Sequence, residues 1–124
     1  MKKNILSIVI ALQILGICVV GVYAYSDFKS IGPEGRQSEI SIEWSAETVT
    51  ANNERNDYSS ESYCRAYIRY DNGEYIYNWN NGISSASVTT THSVYPPGAT
   101  RISKYTTTHR ITIDETDYSG SFTK

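Results

Sequence analysis

Apolar positions in this chain follow two regimes. From Ile5 to Val22 they form one nearly continuous run, broken only by Ser7, Gln13 and two glycines. Further on they recur at every second residue, the period of a β-strand with one buried and one wet face. Ile40, Ile42, Trp44, Ala46 and Thr48 alternate with Ser41, Glu43, Ser45 and Glu47, which predicts a first strand. Residues 25–37, centred on Ile31-Gly32-Pro33-Glu34-Gly35, show no periodicity and read as a linker. Residues 51–60, with Asn52, Asn53, Glu54, Arg55, Asn56 and Asp57, read as a polar loop.

Two Asn-Gly dipeptides, Asn72-Gly73 and Asn81-Gly82, punctuate the centre of the chain. Asn-Gly favours the two-residue type I′ hairpin, which needs positive φ at both turn positions. With two-residue loops, the first turn pairs Tyr70 with Tyr75, Ile68 with Tyr77 and Ala66 with Trp79. The second pairs Trp79 with Ser84, Tyr77 with Ala86 and Tyr75 with Val88. Together they predict a three-stranded meander over residues 63–92. One face would carry these residues and Cys64. The other would carry Arg65, Tyr67, Arg69, Asn78, Asn80 and Ser85, with Ile76 and Ile83 among them.

Pro96-Pro97-Gly98 turns the chain, and residues 101–113 alternate again, with Tyr105, Thr107, His109, Ile111 and Ile113 on one side. Asp114 to Asp117 reads as an acidic turn and residues 118–123 as a short closing strand. Beyond the N-terminal run no window has helical period. The expectation is an all-β domain over residues 38–124, a small antiparallel sandwich or partly open barrel of five to six strands.

The N-terminal run is best read as a signal-peptide helix. Lys2 and Lys3 precede it, and Val22-Tyr23-Ala24 offers small or branched residues where a signal peptidase cuts. Residues 1–24 are therefore expected to direct secretion and be removed. The alternative is an uncleaved anchor over residues 5–22, about 27 Å long as a helix, with the remainder facing outward. Cys18 follows Ile17, too bulky for a lipoprotein peptidase, which argues against lipid attachment there.

Removal of residues 1–24 leaves 9 basic against 13 acidic side chains, a net charge of −4. That balance excludes nucleic acid and anionic lipid as expected partners, because phosphate binding needs a basic face. Cys64 remains as the one cysteine, so no internal disulfide can form and stability must come from the core. The same 100 residues hold no leucine or methionine but 27 serines and threonines and 10 tyrosines, a composition suited to strands.

Candidate chemistry is sparse. His92 and His109 have no metal-ligand spacing and fit strand positions where a threonine hydroxyl satisfies a neutral imidazole. Cys64 lies on the apolar side beside Ala66 and reads as a small hydrophobe. No nucleophile elbow, acid pair or calcium loop is present, so neither an enzyme nor a cofactor is expected. Tyrosine is the residue class in excess. The row Arg65, Tyr67 and Arg69, with Asn78 and Asn80, is the candidate binding face, since exposed Tyr amid Arg and Asn suits protein or glycan recognition.

The Asn/Thr/Tyr-rich composition behind a lysine-started signal resembles small secreted proteins of Gram-positive bacteria, among which all-β bacteriocins are one group of this size. The resemblance is compositional, and no site is carried over from it. The functional expectation is a secreted, non-enzymatic β-domain that binds a protein or cell-envelope component. The alternative is a bacteriocin-like or toxin-like protein acting on neighbouring cells.

Overall fold

A computed structural model describes residues 24–124. The signal-peptide and anchor readings rest on residues 1–23 and lie outside the described residues. Eight strands follow: β1 (Tyr25–Ile31), β2 (Ser38–Trp44), β3 (Thr48–Asn53), β4 (Glu61–Tyr70), β5 (Tyr75–Gly82), β6 (Ala86–Thr91), β7 (Ile102–Ile113) and β8 (Thr116–Thr123). They form two four-stranded antiparallel sheets, ordered β1-β2-β3-β6 and β5-β4-β7-β8, packed face to face. β3 and β6 are neighbours in one sheet while β4 and β7 are neighbours in the other. The β3–β4 and β6–β7 connections therefore both cross between the sheets, with β6 at the edge of the first and β4 and β7 at the centre of the second.

Two strands lie where no alternation announced them. Residues 25–31, expected as linker, pair along their whole length with β2 as an edge strand. Only Ile31 of β1 is buried, so backbone hydrogen bonding forms this strand without an apolar pattern. The single strand expected over residues 40–48 is two strands. β2 ends at Trp44, and Ser45 turns the chain through its N–H to the Thr48 carbonyl (3.0 Å) and its hydroxyl to that of Thr48 (2.7 Å). β3 then takes residues 48–53, the start of the expected loop, because Val49, Ala51 and a buried Asn53 face inward.

The central meander is corrected in register and in partner. Gly73 has φ of 92°, but Asn72 does not enter the positive-φ region. The Gly73 N–H bonds the Tyr70 carbonyl (3.0 Å) and the Tyr70 N–H bonds the Glu74 carbonyl (2.8 Å). That pattern is a three-residue loop, Asp71-Asn72-Gly73, with the glycine in a left-handed bulge, rather than a two-residue type I′ turn. The extra residue shifts register by one, so Arg69 faces Tyr75, Tyr67 faces Tyr77 and Arg65 faces Trp79. A one-residue shift exchanges the faces of the whole strand. Tyr75, Tyr77 and Trp79 therefore point outward, and Ile76, Asn78 and Asn80 point toward the other sheet.

Asn81-Gly82 is not a hairpin turn either. Gly82 keeps an ordinary φ and ends β5, and the chain crosses to the opposite sheet, where β6 pairs with β3. A Cβ on Gly82 would collide with the Ser85 carbonyl oxygen, so a glycine is needed for close approach rather than for positive φ. Asn56 fixes this corner. Its N–H bonds the Ser84 carbonyl (2.9 Å), its amide donates to the Arg36 carbonyl (2.9 Å) and its side-chain oxygen accepts from the Tyr58 N–H (2.9 Å). The type I′ turn of this fold is Asp114-Glu115, with φ of 52° and 66° between Ile113 and Thr116.

The core lies between the sheets. Ile31, Ile40, Ile42, Val49, Ala51 and Ala86 come from one, and Cys64, Ala66, Ile68, Tyr70, Ile111, Ile113 and Phe122 from the other. Gly120 lets β8 approach closely, since a Cβ there would meet Ile40 Cδ1 at 2.9 Å and Ile31 Cγ2 at 3.1 Å.

Candidate functional site

Buried polar side chains between the sheets are hydrogen-bonded. Asn53 donates to Ser62 Oγ (3.0 Å) and the Tyr63 carbonyl (2.9 Å), which leaves its Oδ1 to accept from His109 Nδ1 (2.6 Å). A carbonyl oxygen can only accept, so His109 carries its proton on Nδ1, and its Nε2 accepts from the Thr107 hydroxyl (2.8 Å). Burial, with a smaller contribution from Lys29, lowers the His109 pKa to about 4. His92 instead meets the Tyr70 hydroxyl through Nδ1 (2.9 Å) and lies against the Tyr95 ring. Cys64 is a buried free thiol whose pKa burial raises to about 11. Among the described residues no group of His, Cys, Asp or Glu is placed to hold a metal ion.

The outer face of the β5-β4-β7-β8 sheet is different. Strand alternation and register lay out parallel rows on it: Tyr75, Tyr77 and Trp79 from β5; Tyr63, Arg65, Tyr67 and Arg69 from β4; and Lys104, Thr106, Thr108 and Arg110 from β7. The rings are not packed away. Trp79 is 57% exposed, Tyr75 48% and Tyr77 46%.

Arg65 organises this face. Its Nε donates to the Tyr63 hydroxyl and its Nη1 to the Tyr67 hydroxyl, both at 2.7 Å. Its guanidinium carbon lies 5.1 Å from the Tyr77 ring centroid, 5.6 Å from Tyr63 and 5.7 Å from Tyr67, within cation–π range of all three. The hydrogen bond it donates to Tyr67 raises its pKa further, so its charge is permanent. Arg69 stacks over Tyr75 at 5.2 Å and donates to the Gly73 carbonyl (3.0 Å). Arg110 lies over Tyr63 at 5.0 Å and pairs with Glu61 at 3.2 Å. The rings also touch one another: Tyr67 lies 5.4 Å from Tyr77 and 5.7 Å from Tyr75, and Tyr63 lies 6.0 Å from Trp79. A shallow groove of about 340 Å³ crosses β4 here, lined by Tyr67, Arg69, Tyr75, Thr106 and Thr108.

Of the five residues singled out from sequence, the structure brings Arg65, Tyr67 and Arg69 together. It separates them from Asn78 and Asn80, whose amides donate instead to the Thr89 (3.2 Å) and Ser87 (3.0 Å) carbonyls of β6. Those two bonds join the sheets along one side of the sandwich. Sequence reasoning placed Tyr75, Tyr77 and Trp79 in the core, and they belong to the face. The run Tyr70-Asp71-Asn72-Gly73-Glu74 held the available signal, because it fits a three-residue loop as well as a two-residue one.

The opposite outer face has another character. It presents Glu39, Ser41, Glu43, Thr50, Asn52, Ser87, Thr89 and Thr91, with Phe28 as its exposed ring. No family model, no curated protein and no solved structure matches this chain.

Proposed function

We propose that this is a non-enzymatic binding domain that works outside the cell and attaches to a protein or cell-envelope component. The aromatic and cationic face of the β5-β4-β7-β8 sheet is its contact surface. The supporting observation is the segregation of exposed rings. Tyr63, Tyr67, Tyr75, Tyr77 and Trp79 share one sheet face, whereas the other outer face is built from Ser, Thr, Asn and Glu and carries one exposed ring, Phe28. Exposed Tyr25, Tyr58 and Tyr95 lie elsewhere, and on this face five rings stand side by side. Tyr, Trp and Arg held rigid by one another give large contact area at low entropic cost on binding.

Retention of the purified protein on cell-envelope extract tests this reading. Wild type should be retained, and Trp79→Ala and Tyr77→Ala should weaken retention while the protein stays folded, as judged by circular dichroism. Retention unaffected by these variants would remove the face from the function.

A further inference from the structure

Part of the positive charge on the outer face of the β5-β4-β7-β8 sheet is left without a counter-charge. Arg36, Arg55, Arg101, Arg110 and Lys124 each lie within 4.0 Å of a carboxylate. Among the described residues no carboxylate pairs with Arg65, Arg69 or Lys104, although acidic side chains outnumber basic ones in this chain. Two phenol oxygens hold Arg65 in place before any ligand arrives, spending two of its five N–H groups. A guanidinium fixed in this way is prepared to receive an oxyanion, because most of the ordering cost has been met by the fold.

Beside these charges stand hydroxyls and open rings, and no aliphatic side chain. The rows on β5, β4 and β7 carry Tyr, Trp, Arg, Lys and Thr, and the groove over Tyr67 is walled by Arg69, Tyr75, Thr106 and Thr108. Protein interfaces centre on desolvated pockets for anchoring side chains, and this face has a shallow trough instead. Flat ring faces are electron-rich and accept the polarised C–H faces of sugars. Successive outward residues on β5 are about 6.6 Å apart, so Tyr75, Tyr77 and Trp79 form a line of platforms suited to a repeating ligand.

Resting on the binding reading above, we propose that the occupant is an acidic glycan, a polymer of sugar rings bearing carboxylate groups. Its sugar faces lie on Tyr77, Tyr75 and Trp79, its oxyanions meet Arg65 and Arg69, and its hydroxyls meet Thr106 and Thr108. The acidic opposite face, with Glu39 and Glu43, repels such a polymer and confines it to this side.

Titration of the purified protein, read by tryptophan fluorescence, tests this with five probes: oligogalacturonate, poly(glycerol phosphate), a neutral cello-oligosaccharide, poly-glutamate and oligo-dT. Binding is expected for oligogalacturonate, and poly(glycerol phosphate), an oxyanion polymer without sugar rings, should bind more weakly; equal binding of the two would overturn the role of the ring platforms. Oligogalacturonate binding should weaken with added salt, fall about tenfold in Arg65→Gln and in Arg69→Gln, and persist in Phe28→Ala on the opposite face. Arg65→Lys keeps the charge but loses the fork, and should also weaken binding while the protein stays folded. Equal binding of the neutral glucan, tighter binding of poly-glutamate or oligo-dT, or salt-sensitive self-association in place of ligand binding would each overturn the assignment. If acidic glycans fail while retention on envelope extract still depends on Trp79, only the ligand class falls. If neither depends on this face, the binding reading falls with it.

Discussion

Arg65 stands directly across the β4–β5 ladder from Trp79. Its phenol partners Tyr63 and Tyr67 are its neighbours on the same face. That pairing decides which side of β5 faces the solvent, and the remaining consequences can be measured.

Trp79 should contribute little to stability despite its size. It touches Tyr63 at the sheet surface and is more than half exposed. Trp79→Ala is expected to cost about 1 kcal/mol or less by denaturant unfolding. Ile68→Ala, which empties a fully buried position, should cost about 3 kcal/mol. A loss for Trp79→Ala as large as that for Ile68→Ala would place the ring inside and restore the two-residue register.

The two tight turns should respond in opposite directions. Gly73 supplies the left-handed residue of its loop, so Gly73→Ala should destabilise by about 1 kcal/mol even though a Cβ there meets nothing within 4 Å. Glu115 holds φ of 66° with a side chain attached, so Glu115→Gly should stabilise by up to about 1 kcal/mol. Thermal unfolding of the two variants should shift the midpoint down and up respectively.

His109 ties stability to pH. Its folded pKa is depressed to about 4 from an ordinary 6.5, so in that window the unfolded chain binds more protons. Stability should therefore fall as pH drops from about 6.5 toward 4, by about 3 kcal/mol across the window for this group, and level off below it. His109→Gln should flatten that part of the profile. A profile of unchanged slope in this variant would mean that His109 is not held neutral by the core.

Cys64 should behave as an inert thiol. It is fully buried, its Sγ lies 3.7 Å from the Ala51 carbonyl oxygen, and burial raises its pKa to about 11. Maleimide should label it only after denaturant is added. Rapid labelling of the native protein would show that the β3–β4 contact opens readily.

Asn56 should be the most sensitive polar residue in the loops. Its side chain satisfies an N–H and a carbonyl in two different loops, and its own N–H holds a third. Asn56→Ala removes two part-buried hydrogen bonds of a buried side chain and should cost about 1 to 2 kcal/mol in equilibrium unfolding.

The strands that were legible in the sequence are those whose burial alternates. β2, β4 and β7 each place a small or apolar residue inward at every second position, and local chemistry alone is enough to specify that pattern. His109 belongs with them: its place in the alternation of β7 implied a neutral ring satisfied by threonine, and Thr107 is that threonine. The all-β class, the antiparallel pairing of β4 with β5 and the inward Cys64 follow from the same local rule. Tertiary structure decided the rest. β1 has one buried residue and exists because β2 offers it an unpaired edge, and the inward face of β3 ends on Asn53, whose burial is tolerable only because His109 and Ser62 come from the other sheet to meet it. The register of β5 turned on a single residue in its loop. Asn72-Gly73 allows both a two- and a three-residue turn, and packing chose the one that sends Asn78 and Asn80 to the backbone of β6 and leaves the rings outside. A period-2 pattern shows that a strand has two faces. Which of them is buried depends on what the other sheet presents to it, and that contact is not local.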